Sequence, residues 1–314
     1  MITVDDVRAA AARISSEVRR TPVMEATNLK SELAPDASVV LKLELLQVTG
    51  SFKARGATNR LRNTDSAVLA RGIVAASGGN HGLATARAGF VSGVPTTIFL
   101  PHNATPAKIA KLRDWGAEIR IVGSAWHEAN VAALEHVEKT GAGYFHPFAD
   151  PYVAAGQGTV ALELLEQLDD FDTVLVAMGG GGLISGVGTA LKALKPKVRI
   201  IGIEAAGCPV LLRALEAGEN RGLDEVTTRV ATMACAKTED AIFEIVRDTV
   251  DEIVLVDDEE MLQAARWLWF EMGLAADLSG AAAIAALREK RLSVRPGERI
   301  CAIVCGAGPD ALLS

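Results

Sequence analysis

The sequence predicts an α/β protein built from two open, mainly parallel sheets, with its chemistry in the cleft between them. Eight short β-rich runs recur along the chain: VVLKLEL, GIVAAS, TTIFL, AEIRIV, TVLVAM, VRIIGIE, EIVLVD and RICAIVC. Most are followed by an Ala-rich segment of helical length, the alternation that lays parallel strands side by side under helices on both faces. Several runs end in glycine-rich turns, which in open α/β sheets lie at the carboxyl ends of strands, where ligands bind.

The three strand-helix units between about Gly72 and Tyr144 are closely spaced and are expected to form a small sheet of their own. This places a small inserted domain at 69–146 and a large domain at 1–68 plus 147–314. Clefts between such units are a usual place for ligands.

With 314 residues, 49% of them hydrophobic, the chain can bury a sizeable core. Its net charge of -7 comes from intermingled acids and bases without a basic run, which argues against nucleic acid or an anionic membrane as partner. No apolar stretch reaches spanning length, and the start MITVDDVRAAAARISSEVRR is unlike a signal peptide, so a cytoplasmic protein is expected. Cys208, Cys235, Cys301 and Cys305 lack paired CxxC spacing and read as reduced thiols.

Three glycine-rich sites carry the candidate chemistry. In QVTGSFKARGA (Gln47 to Ala57), a strand gives way to a helix expected to begin at Ser51. Burial of Lys53 at such a junction would lower its pKa and make it a Schiff-base nucleophile, although the spacing also fits a solvated lysine in a first helical turn. In SGGNHG (Ser77 to Gly82), backbone N–H groups at a helix start suit a phosphate or a carboxylate; a plain turn with Asn80 as cap and His81 exposed fits as well. In MGGGGLISG (Met178 to Gly186), four glycines let the backbone close on a phosphate. That loop lacks the Walker lysine and the GxGxxG spacing, but Glu204 lies about twenty residues on, so a dinucleotide site stays open.

Taken in order, GSFKARGA, SGGNHG, AGQGTVALE (Ala155 to Glu163), MGGGGLISG and the terminal VCGAG resemble the serine/threonine dehydratase family of pyridoxal phosphate (PLP) enzymes over nearly the whole chain. HPFADP (His146 to Pro151) is similar to its threonine dehydratase branch. The resemblance implies PLP fold type II, with Lys53 holding the cofactor as a Schiff base and acting as the catalytic base. It further implies that Phe52 flanks the ring and Asn80 donates to its phenolic oxygen. Gly179, Gly180, Gly181, Gly182 and Leu183 would bind the phosphate, and Ser77, Gly78, Asn80 and His81 would surround the substrate carboxylate. The implied reaction is β-elimination on a small hydroxy amino acid, turning L-serine or L-threonine into pyruvate or 2-oxobutanoate and ammonia. A homodimer is also implied.

Where the family commonly has a serine at the pyridine nitrogen, this sequence has Cys305. A neutral donor there does not enforce a protonated ring as an aspartate would, and this favours elimination over transamination. In the similar serine racemases a serine precedes the GNH triplet; here the position is Gly78, which can deliver no proton, so dehydration is expected well above racemisation. Glu204 matches a cation ligand of some members, but GIEAAGCPVLL offers no second carboxylate, so no divalent metal is expected, and either potassium or no ion. ATMACAKTED (Ala231 to Asp240) departs from the usual acidic loop of the family. Nothing after the last strand reads as a regulatory domain, so inhibition by isoleucine is not expected. A β-replacement enzyme, a serine racemase and a non-catalytic PLP- or nucleotide-binding protein are the competing readings.

Overall fold

The computed structural model describes residues 1–310. In chain order its elements are α1 (Val4–Ile14), β1 (Val23–Glu25), β2 (Ser38–Lys42), α2 (Lys53–Arg62), α3 (Ser66–Leu69), β3 (Ile73–Ala76), α4 (Asn80–Ser92), β4 (Thr96–Leu100), α5 (Pro106–Asp114), β5 (Glu118–Ile121), α6 (Trp126–Thr140), β6 (Gly143–Tyr144), α7 (Pro151–Gln167), β7 (Thr173–Ala177), α8 (Gly182–Leu194), β8 (Arg199–Ala205), α9 (Val210–Ala217), α10 (Asp240–Thr249), β9 (Glu252–Val256), α11 (Asp258–Met272), α12 (Leu278–Arg288) and β10 (Arg299–Ile303).

Side-chain oxygens start several of these helices. Thr3 and Asp6 form a capping box on α1, while Thr105 caps α5 and Asp150 caps α7, each followed by a proline at the first helical position.

Two sheets organise the chain. The larger runs β1-β2-β10-β7-β8-β9 and is parallel except for the antiparallel edge strand β1; the smaller runs β5-β4-β3-β6 and is parallel throughout. The residues of β3 and β7 are buried throughout, as strands covered on both faces require, which is why they appear in sequence as unbroken apolar runs. All eight expected strands are present. The sequence pattern did not signal β1 or β6, whose three and two residues are too short for a period to register.

The strand expected over VVLKLEL is shorter than its apolar run, and the helix after it starts later. β2 stops at Lys42, and 3-10 turns follow at Glu44–Leu46 and Val48–Gly50. Thr49 takes a left-handed φ of 63°, and Ser51 is extended and bridges to Gly306. The helix therefore begins at Lys53 instead of Ser51.

The main apolar core surrounds the larger sheet, and a second gathers Ile73, Ile98, Leu100 and Phe145 around the smaller one. α2 joins that second core through Ala54, Ala57 and Leu61. Its other face meets α7, where Gly56 N–H donates to Gln157 Oε1 at 3.1 Å. The helix that begins with Lys53 is thus wedged between elements of both sheets. No helix among the described residues is long and apolar enough to cross a membrane.

Candidate active site

Lys53 opens α2, and its ε-amine donates to the carbonyl of Pro147 at 2.6 Å. The stem keeps some exposure, but enough protein surrounds the amine that burial lowers its pKa to about 8, against an opposing influence from the Cys305 and Cys235 thiols. A neutral amine is therefore accessible near neutral pH, as a carbonyl-directed nucleophile requires. Its ammonium form sits 5.1 Å from the centre of the Phe52 ring.

The tetraglycine turn joins β7 to α8, with Gly181 as N-cap at φ 88°, a left-handed value costly for any other residue. The first N–H groups of α8 have no intrahelical acceptor, so Gly182 and Leu183 offer donors at the positive end of a helix. A second demand on these glycines was not visible in sequence. A Cβ at Gly180 would overlap the Phe148 ring, and one at Gly182 would lie 2.8 Å from Phe148 Cβ. The HPFADP stretch thus packs directly on the tetraglycine loop. His146, in the same stretch, accepts from the N–H groups of Phe148 and Ala149 at 3.2 and 2.8 Å, and burial together with Lys53 lowers its pKa to about 4.

SGGNHG runs from the end of β3 into the first turn of α4, with Ser77, Gly78 and Asn80 half-buried. Gly79, not Asn80, occupies the N-cap. His81 is buried instead of exposed: its Nε2 donates to Phe145 O at 2.8 Å, and burial pushes its pKa down to about 3. Its neutral imidazole is committed to that carbonyl. What His81 offers an anion is its backbone N–H in the first turn of α4.

The last strand closes the site. Phe52 N–H donates to Cys305 O at 3.3 Å, and Ala307 N–H to Gly50 O at 2.8 Å, fastening VCGAG to the segment before Lys53. Cys305 is buried, and burial raises its thiol pKa well above the ordinary range, leaving an S–H donor. Beside it stands Asp277, which sequence reasoning missed. Asp277 caps α12 and accepts from Gly280 N–H at 2.6 Å, Ser279 Oγ at 2.8 Å and Asn80 Nδ2 at 3.0 Å. Nothing in its local sequence marks it apart from an ordinary helix cap.

A lysine with a lowered pKa, a glycine-rich helix start and a buried thiol therefore surround one region, and comparison with known proteins gives this geometry its context. The family model described as pyridoxal-phosphate dependent enzyme matches residues 14–306. The chain belongs to this family. It is 39% identical over 310 residues to the L-threonine ammonia-lyase of Thermotoga maritima, covering 99% of this chain and 76% of that protein. Among solved structures, maize serine racemase superposes with a TM-score of 0.92 at 34% identity, covering 98% of this chain and 93% of the other. The T.th. threonine deaminase gives 0.89 at 34% identity, covering 98% of both chains. The fold is that of the fold type II PLP enzymes.

The residues present fit the cofactor of this PLP family: an aldehyde-reactive amine at Lys53, backbone N–H donors at the glycine-rich start of α8, and a buried thiol at Cys305. Behind α2, a buried charge network holds the lysine in place. Arg55 donates to Glu44 at 2.7 and 2.8 Å and to Glu163 at 2.6 and 2.9 Å, and Lys42 donates to Glu163 at 2.6 Å and Gln167 at 2.7 Å. Burial works against the Arg55 charge, but Glu44 and Glu163 outweigh it and raise its pKa; Glu163 is correspondingly lowered, despite burial, by Arg55 and Lys42. Arg55 and Glu163 lie in two of the quoted strings, GSFKARGA and AGQGTVALE, but nothing in the sequence paired them.

Glu204, the residue that kept a dinucleotide site open, is buried against the start of α9. Its oxygens each accept a backbone N–H, from Leu211 and Leu212 at 2.9 Å, and burial raises its pKa to about 7 against those two bonds. No group of three or more His, Cys, Asp or Glu side chains among the described residues could hold a metal ion.

Proposed function

We propose that the protein is a PLP-dependent dehydratase, or ammonia-lyase, that converts L-threonine, L-serine or both to 2-oxobutanoate or pyruvate with release of ammonia. The observation that carries the reading is the Lys53 amine, lowered to about 8 and set between the tetraglycine loop, SGGNHG and Cys305. The names of the Thermotoga lyase and the T.th. deaminase support threonine as substrate.

When bound, the cofactor withdraws electrons from the substrate Cα. The chain's residues do the rest. Gly179, Gly180, Gly181, Gly182 and Leu183 would hold the phosphate through N–H groups; Phe52 would flank the ring, Asn80 would donate to its phenolic oxygen and Cys305 would meet its nitrogen. Ser77, Asn80 and His81 at the start of α4 receive the substrate carboxylate, with Gly78 leaving room beside it. Lys53 Nζ would remove the Cα proton of the bound amino acid, the β-hydroxyl would take up a proton and leave as water, and hydrolysis of the released enamine would give the oxo acid and ammonia. With no second carboxylate in GIEAAGCPVLL beside Glu204, no divalent metal takes part in this reading. The working protein is a cytoplasmic homodimer that requires no nucleic acid or membrane, and 69–146 acts as a small domain inserted in the rest.

The presence of serine racemases among its relatives raises racemisation as a second reaction. Gly78 disfavours it, since no side chain there can protonate the face opposite Lys53. Product analysis with L-serine and L-threonine separates the readings. Oxo acid and ammonia in equal amounts support dehydration, whereas D-serine matching pyruvate contradicts it, and an added thiol consumed in place of water points to β-replacement.

A further inference from the structure

We propose that Asp277 is a positioning residue that sets which way the Asn80 amide faces and thereby presents an N–H donor to the ring oxygen of PLP. The inference rests on the cofactor placement proposed above and goes beyond it in naming what orients the donor.

An asparagine amide can turn over, exchanging its NH2 and its oxygen at little cost unless a neighbour decides between them. Asp277 decides. Burial raises the Asp277 pKa, but the hydrogen bonds from Asn80, Gly280 and Ser279 all favour the ionised form, which only accepts; the group within 3.0 Å of its Oδ2 is then the Asn80 NH2, and the second hydrogen of that NH2 remains for another acceptor. Asp277 cannot swing away, because its other oxygen is held by Gly280 N–H at 2.6 Å and Ser279 Oγ at 2.8 Å at the start of α12. Its own N–H donates to Gly306 O at 3.0 Å, in the same terminal loop that follows Cys305. Ser279 also lies close enough to Cys305 to act on its thiol. One carboxylate thus connects the residue assigned to the phenolic oxygen with the residue assigned to the ring nitrogen, Asn80 on α4 with Cys305 after β10.

Asp277→Asn tests the assignment with little disturbance of the helix, since asparagine is as good an N-cap as aspartate. Its amide oxygen must stay on Gly280 N–H, which turns its NH2 toward Asn80 and forces the Asn80 amide over, so that an acceptor faces the ring oxygen. A donor at that oxygen favours the cofactor form with negative charge on it, which absorbs in the visible; without the donor, the neutral form absorbing in the near ultraviolet gains.

The experiment reconstitutes the wild-type apoprotein, Asp277→Asn, Asn80→Ala and the double variant with PLP, and reads the ratio of the two bands together with the dissociation constant for PLP. The expected result is a fall in the ratio of about tenfold in each single variant, the scale of one hydrogen bond to a charged group. The double variant should fall no further than Asn80→Ala, because Asp277 acts through Asn80. Asp277→Ser, which keeps a cap but cannot reach Asn80, leaves the amide free to turn and should give a smaller fall than Asp277→Asn. A wild-type ratio in Asp277→Asn, or independent effects that add in the double variant, would overturn the inference. A wild-type protein that acquires no visible band overturns the cofactor placement itself and the role of Asp277 with it.

Discussion

Phe52 N–H donates to the carbonyl of Cys305 at 3.3 Å, which ties the residue before the lysine to the end of the last strand. Lys53 is therefore fixed from two sides: its helix start is fastened to the large sheet through this bond, and α2 itself packs into the core of the small sheet. The amine can hold its place only while both attachments persist.

The buried network behind α2 should be costly to break. Arg55 and Lys42 are almost fully buried and both donate to Glu163. Glu163→Gln leaves two enclosed cations short of a counter-charge, and a loss of about 3–5 kcal/mol is expected, read from urea denaturation. A change within about 0.5 kcal/mol, the scale of a surface substitution, would show that the network does not support the lysine helix.

Gly180 should tolerate no side chain while Phe148 is present. The Cβ of Gly180→Ala would overlap the Phe148 ring. Displacing either the ring or the loop costs about 1–3 kcal/mol, so PLP should bind roughly tenfold more weakly or worse. Adding Phe148→Ala should recover part of the loss, as expected for residues in direct contact. If the second change brings no recovery, the defect lies elsewhere in the loop.

The lowered Lys53 pKa has a consequence in pH. Below about 8 the amine is mostly protonated and unreactive, so the rate at which apoprotein captures PLP should rise about tenfold per pH unit and flatten above 8. An ordinary lysine would keep gaining until about 10.4. Because the folded-state value is the lower one, the unfolded chain binds more protons between about 8 and 10.4, and the contribution of this group to apoprotein stability increases with pH across that window. Stopped-flow absorbance from pH 6 to pH 10.5 provides the check, and a rate still climbing at the upper end contradicts an enclosed amine.

Gly78 should separate elimination from racemisation. A Cβ there would meet Leu100 Cδ2 at 3.1 Å, a contact that a small movement of that side chain relieves. Gly78→Ser should therefore fold and gain D-serine production from L-serine at the expense of pyruvate. Chiral chromatography reads the ratio; a variant that binds PLP but makes no more D-serine than the wild type removes the argument from Gly78.

The sequence made the fold legible wherever strands were buried on both faces, because such strands are unbroken apolar runs, as in TVLVA of β7. β1 and β6 are defined by pairing with neighbours and not by a pattern of their own, and so left no trace. Lys53, the tetraglycine loop and Cys305 could be found because they sit in unusual strings. Asp277 could not, since a helix-capping aspartate is common and its meaning comes from Asn80, far away in the chain. Phe148 was inside a quoted motif, but only the packing shows that it shapes the space of the loop. SGGNHG points to His81 as a substrate contact, and the structure commits its imidazole to Phe145 O, leaving the backbone N–H for that purpose.

The most direct test of the central role of Lys53 is to load the protein with PLP, reduce it with borohydride and identify the modified peptide by mass spectrometry. A single pyridoxyl adduct is expected on the peptide containing Lys53, and none on that peptide in Lys53→Ala. An adduct confined to another lysine, or no adduct after loading, would contradict that role.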